Sequence, residues 1–151
     1  RSARDAGAQR VWKCAQSQRL RADEFFETRK EVAVKVIAVE GEPAIQDMYQ
    51  EMVADLSKRL MVHLELLKAT SIEEAKKLFS DNPDVSVIIL TGKIGGSDTV
   101  ALIETIHATY SGNMIATSAD PDIRKRQITA GCNWQCDKWQ VVGVLEKILG
   151  C

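Results

Sequence analysis

The chain is poor in several things at once. Aromatic residues make up 5% of its 151 positions, and it has only three prolines and two histidines. No apolar run approaches the ~18 to 20 residues a membrane helix needs. The longest, Val85 to Leu90, is broken by Ser86. No signal-peptide pattern follows the Arg-rich start, and the first residue is Arg1 rather than Met, which reads as an excised or trimmed piece with its native neighbours missing. The four cysteines, Cys14, Cys132, Cys136 and Cys151, form no disulfide framework. Cys132 and Cys136 have neither the redox nor the usual zinc spacing, and His63 and His107 lie in separate segments. They read as reduced thiols of a cytoplasmic protein, with no metal site and no cofactor expected. A net charge of −1 argues against a nucleic-acid binder driven by bulk positive charge. No internal repeat or low-complexity tract is visible.

What is present is ordinary globular material, 45% apolar and 27% charged. The length fits one domain that buries roughly two thirds of its unfolded surface. Charge is uneven along it. Residues 1–30 hold eight Lys/Arg against four acids, and the remainder twelve against seventeen. This divides the chain into a basic N-terminal arm or linker helix over 1–31 and a folded domain over 32–151.

From Val32 the chain alternates apolar runs with amphipathic stretches. Val32–Val39 is a β-branched run. Ile45, Met48, Tyr49, Met52, Val53 and Leu56 then recur at helical steps, with Pro43 suited to the first turn. Met61–Leu67 alternates as a strand. Ser71-Ile-Glu-Glu74 reads as a capping box, with Ser71 as the cap and Glu74 reaching back to it. Val85–Leu90 reads as a strand buried on both faces, Thr91–Gly96 as a loop, and Val100–Tyr110 as a helix. Ser97 or Asp98 caps that helix. Met114–Thr117 reads as a fourth strand, Asp120–Ala130 as a helix closed by Gly131, Cys132–Cys136 as a weak fifth strand, and Gln140–Leu149 as the last helix. Five βα units of this size imply a flavodoxin-like three-layer α/β sandwich with parallel strand order 2-1-3-4-5, preceded by an N-terminal helical arm. In such folds reactive groups gather at the carboxyl ends of the strands.

At those ends, Val39-Glu-Gly-Glu-Pro43, the strand running into Thr91, Met114-Ile-Ala-Thr-Ser118-Ala119 and Gly131-Cys-Asn-Trp-Gln-Cys-Asp-Lys138 are similar to the receiver domain of two-component response regulators. The resemblance runs from about Val34 to Gly150. It implies that Glu40 holds a first-loop acid position, Thr91 the phospho-acceptor position, Ser118 the Ser/Thr switch and Lys138 the invariant lysine. It departs from the pattern where it matters most. Thr91 replaces an acceptor Asp, Gly41 replaces the second metal-binding acid, Trp139 replaces a common Pro, and Gln135 falls at the usual aromatic switch position. A threonine hydroxyl is a weak nucleophile without a base and cannot form an acyl phosphate. Too few carboxylates remain for tight Mg²⁺ binding.

The resemblance with these departures implies a degenerate receiver, a pseudo-receiver. Such a domain is not an enzyme and acts in two-component or phosphorelay signalling through phosphorylation-independent protein contacts. Its expected partner is a sensor kinase or other signalling domain, or a second copy of itself, and neither membrane nor nucleic acid. The face of Arg124, Lys125, Arg126, Trp134 and Trp139 is the candidate interaction surface, although a solvated helix face and packed tryptophans would look the same in sequence. Lys138 and Glu40 either pair as relics or, with Ser118 and Thr91, bind a free anion. Two other functions stay open: a small-molecule or phosphate sensor using the Gly92–Gly96 loop, and a receiver phosphorylated at a non-Asp site such as Thr91 or Ser118. A basic arm contacting DNA is a third.

Overall fold

The computed structural model describes residues 33–150. The expected arm over 1–31, its helix, and Cys14 and Cys151 lie outside the described residues.

β1 (Val34–Val39) carries the β-branched run. α1 (Pro43–Leu60) starts on Pro43, whose missing N–H is not needed in a first turn. It ends where Met61 turns left-handed at φ 55°, its N–H donating to the Lys58 carbonyl and that of Val62 to the Ser57 carbonyl. Met61–His63, which the alternation assigns to a strand, form this cap and the link after it, so β2 is Leu64–Ala69. α2 (Ile72–Asp81) is capped as expected at Ser71, whose Oγ accepts the Glu74 N–H at 3.1 Å. Glu74 reaches one residue further than a capping box requires. Its carboxylate takes the N–H of Thr70 at 2.6 Å and the Thr70 hydroxyl at 2.7 Å. These two bonds hold the carboxyl below its ordinary range.

β3 (Val87–Leu90) is fully buried, as a central strand covered on both faces should be. The expected loop over Thr91–Gly96 is instead the start of a small antiparallel hairpin, β4 (Lys93–Ile94) and β5 (Ser97–Asp98). Its turn is Gly95–Gly96, both at positive φ (59° and 82°), the requirement of a two-residue primed turn that glycine meets without strain. α3 (Val100–His107) ends earlier than expected, and Asp98 accepts the Val100 N–H at 3.1 Å. β6 (Asn113–Ala116) is followed by α4 (Pro121–Ala130), capped by Asp120 and closed by Gly131. β7 is only Trp134–Gln135. A 3₁₀ turn at Lys138–Gln140 leads into α5 (Val141–Leu149).

The five main strands form one parallel sheet ordered β2-β1-β3-β6-β7, the doubly wound order expected. Val36, Ala38, Val87, Ile89 and Ile115 pack on one face against Tyr49, Val53 and Leu56 of α1 and Val141, Leu145 and Ile148 of α5. Ile37, Val39, Ile88, Leu90 and Met114 pack on the other face against α2, α3 and α4. Between β1 and β3 the winding reverses, which opens a crevice at the strands' carboxyl ends. Among the described residues no helix is long and apolar enough to cross a membrane.

Candidate functional site

Strand alternation decides which side chains meet at that crevice. Glu40 follows Val36 and Ala38 on the α1/α5 face, Thr91 follows Val87 and Ile89, and Thr117 follows Ile115. Ladder bonds continue past the assigned strand ends. The N–H of Glu40 donates to Ala69, that of Thr91 to Val39 and that of Thr117 to Leu90. Glu40, Thr91 and Thr117 are therefore held in adjacent registers, all buried.

Lys138 reaches the Glu40 carboxyl in this place. Lys138 Nζ lies 2.8 Å from Oε1, with the two side chains 22% and 3% exposed. The approach is ionic rather than an aligned hydrogen bond, since Oε1 has no geometric hydrogen-bond partner. The other oxygen, Oε2, accepts the Glu42 N–H at 3.1 Å. Of the two sequence readings of Glu40 and Lys138, the structure contains the direct pair. Gly41 presents no side chain here, and a Cβ at this position would stand 3.3 Å from Cγ1 of the buried Ile94 on the hairpin.

Thr91 is held through its carbonyl, which accepts the Thr99 hydroxyl at 2.7 Å and the Gln127 amide at 3.0 Å. Ser118 does not face Glu40. Its Oγ accepts the Asp120 N–H at 3.1 Å, and a Cβ on Gly92 would fall 2.4 Å from it. Thr117, which sequence spacing passed over, shares the Glu40 face instead, and its hydroxyl donates to Leu90 at 3.0 Å. The Tyr49 phenol lies against Thr117 without a fully aligned hydrogen bond. Burial pushes this phenol far above its ordinary range. The Thr117 hydroxyl partly opposes that, and the nearby Glu40 adds to it.

The expected interaction face is partly spoken for. Arg124 donates to the Ser118 carbonyl (2.8 Å), the Cys136 carbonyl (3.2 Å) and the Asp137 carboxylate (3.0 Å), tying two loops together. Arg126 pairs with Asp98 at 3.1 Å. Trp134 is half-buried, packed against the core on the α1/α5 side, with its indole N–H on Asn113 Oδ1 at 3.0 Å. Trp139 is 68% exposed, and Lys125 is exposed with no ion pair among the described residues. Between α4 and β7 lies an open groove of about 630 Å³ whose lining includes Pro121, Lys125, Ile128, Thr129 and Gln135. In the Gly92–Gly96 segment, Gly92 makes room for Ser118, and Gly95–Gly96 make the hairpin turn. Among the described residues no three His, Cys, Asp or Glu side chains converge on a metal-sized site.

Two buried glutamines complete the site, and sequence reasoning missed both. Gln46 donates to the carbonyls of Ala38, Glu40 and Ala69, and Gln127 to Leu90, Thr91 and the Thr99 hydroxyl. A signal existed in the sequence. Each sits on its helix's buried stripe, Gln46 with Tyr49 and Val53, and Gln127 with Ile123 and Ala130.

No protein-family model matches the sequence, and no curated protein matches it. Solved structures do. A response regulator receiver domain protein from Clostridium thermocellum superposes with a TM-score of 0.65 at 14% identity, covering 77% of this chain and 94% of that one. The signal receiver domain of an HD domain-containing protein from Pseudomonas fluorescens Pf-5 gives 0.64 at 19%, covering 78% and 95%. A Burkholderia pseudomallei response regulator, solved with a phosphorylated aspartic acid, calcium ion and citrate, gives 0.63 at 13%, covering 77% and 66%. Identities this low carry architecture alone, and the architecture they carry is the receiver-domain fold.

Proposed function

We propose that this protein is a pseudo-receiver, a receiver-fold module of signal transduction that binds a protein partner without being phosphorylated. One observation carries the reading. The end of β3 presents a buried threonine, while the neighbouring Glu40 is already matched by Lys138 at 2.8 Å. A carboxylate acceptor would supply the nucleophile for acyl-phosphate formation, and a threonine hydroxyl without a base does not. A lysine engaged in an ion pair is also less free to meet an incoming phosphoryl group. Thr91 and Ser118 are buried residues, 4% and 5% exposed, which speaks against modification by a Ser/Thr kinase.

The partner is a protein, a sensor kinase or another signalling domain, with a second copy of the chain as the alternative. The surface left free for it is Trp139, Lys125 and the groove between α4 and β7. An exposed Trp suits an interface anchor.

The test is incubation of the full chain with acetyl phosphate and Mg²⁺, followed by intact-mass analysis. No adduct is expected. An acid-labile phosphoryl adduct on a carboxylate would overturn the reading.

A further inference from the structure

α4 is fastened to the rest of the molecule by polar side chains to an unusual degree. Gln127 is fully buried. Its amide nitrogen donates to Leu90 O (3.2 Å), Thr91 O (3.0 Å) and Thr99 Oγ1 (3.1 Å). Thr99 completes the circuit by donating to the Thr91 carbonyl at 2.7 Å. On the same helix, Arg124 reaches the loop of Cys136 and Asp137, and Arg126 reaches Asp98 on the hairpin. Three side chains of one short helix thus hold the end of β3, the hairpin and the segment that carries Lys138.

We propose that Gln127 is a buried lock that keeps α4 in a single position in the free protein. The helix's own apolar grip is slight: its buried residues are Ile123, Gln127 and Ala130, and one of these is polar. Sliding or rotating α4 would strand the buried Gln127 amide away from water, while the Leu90 and Thr91 carbonyls would keep only their donors from Thr117 and Thr99. Buried polar groups resist losing their partners, so the alternative positions are disfavoured. The groove between α4 and β7 is then preformed, and a partner entering it selects no minor state and orders no helix. Gln127 is a positioning residue, because its bonds are all internal.

The lock stands whether or not the pseudo-receiver reading does. The phosphodonor assay reads the chemistry at Thr91, whereas α4 position is read by NMR. The experiment is backbone relaxation dispersion on the full chain, comparing wild type with Gln127→Leu and Gln46→Leu. Gln46 is equally buried and also donates to three acceptors, but it serves β1 and β2. It therefore controls for plain loss of stability. The wild type is expected to show no microsecond-to-millisecond exchange over Pro121–Ala130. Gln127→Leu should introduce it there and at Thr91 and Thr99, and Gln46→Leu should not. Thr99→Val, which removes one acceptor of the Gln127 amide, should give a weaker version of the same pattern and serves if Gln127→Leu fails to fold. Exchange in α4 of the wild type would overturn the lock. So would α4 exchange that is the same in the Gln46→Leu and Gln127→Leu variants, or, where Gln127→Leu does not fold, its absence in Thr99→Val.

Discussion

β1 and β3 run side by side, with Val39 opposite Leu90, yet their carboxyl ends are built from different materials. The end of β1 keeps a charge: Glu40 is sunk to 3% side-chain exposure and balanced by Lys138 from across the sheet. The end of β3 is neutral, with the Thr91 carbonyl satisfied by a hydroxyl and an amide from α4 and the segment before α3. A buried charge depends on one distant residue, because an unpaired carboxylate out of water is costly. A buried carbonyl has two lone pairs and here has two donors, so no single loss strips it. The first end should be fragile to removal of one side chain, and the second to intrusion of volume.

The largest effect should come from breaking the first. Lys138→Met leaves Glu40 without its counter-charge and should cost about 3 kcal/mol, the lower end for a broken buried pair because the ammonium keeps some solvent contact. Adding Glu40→Gln should recover part of the loss, since the unpaired charge then disappears. Urea unfolding of the two variants and the double variant measures this. A Lys138→Met protein as stable as wild type would mean that the pair behaves as a surface contact, and the contrast between the two strand ends would fail.

The second end breaks by crowding. Gly92 has an ordinary φ, so alanine there is opposed by space alone: its Cβ would meet Ser118 Oγ at 2.4 Å, Ser118 Cβ at 2.6 Å and Ile123 Cγ2 at 3.3 Å. Gly92→Ala should cost about 2 kcal/mol, typical of overpacking. Ser118→Gly removes the two closest atoms. In a double-mutant cycle the pair should therefore couple by about 1 kcal/mol, with the double variant more stable than additivity allows. Additive losses would place the strain elsewhere.

How much of this was legible follows the same division. Apolar periodicity revealed five strands, five helices and their order, because burial imposes period 2 or period 3.6 on consecutive residues. It failed where local geometry took over. Met61 sits in a left-handed cap that closes α1, and Gly95–Gly96 make a hairpin of what spacing alone reads as loop. Glu40 and Lys138 are legible through the resemblance of Val39-Glu-Gly-Glu-Pro43 and Gly131–Lys138 to receiver-domain strand ends. The resemblance puts the switch on Ser118, and the place of Thr117 on the Glu40 face becomes visible only through strand alternation once β6 is placed. Gln127 was obscured because a polar residue on a helix suggests solvent until its stripe is traced. Arg124 was read as a docking side chain because nothing in the sequence says that two distant carbonyls lie within its reach.

The smallest effect sharpens the contrast at its edge, where charge returns to the β3 side on the hairpin. Asp98 is held below the ordinary aspartate range, first by the Val100 N–H, against the opposing effect of burial, and then by Arg126, with Lys93 last. A carboxyl whose folded pKa is lowered binds its proton less readily folded than unfolded. Its stabilisation is complete above the unfolded aspartate value and is lost as pH falls through the folded one. The stability difference between wild type and Asp98→Asn should therefore be flat above about pH 5 and shrink below about pH 4. Arg126→Gln should leave most of that acid-side slope in place, because the backbone donor is the larger cause. Thermal melts across pH measure both variants. If Arg126→Gln flattens the slope as fully as Asp98→Asn does, the ion pair and not the helix-end N–H sets the carboxyl's behaviour. The fastening of the hairpin to α4 would then be a charge effect like that at the end of β1.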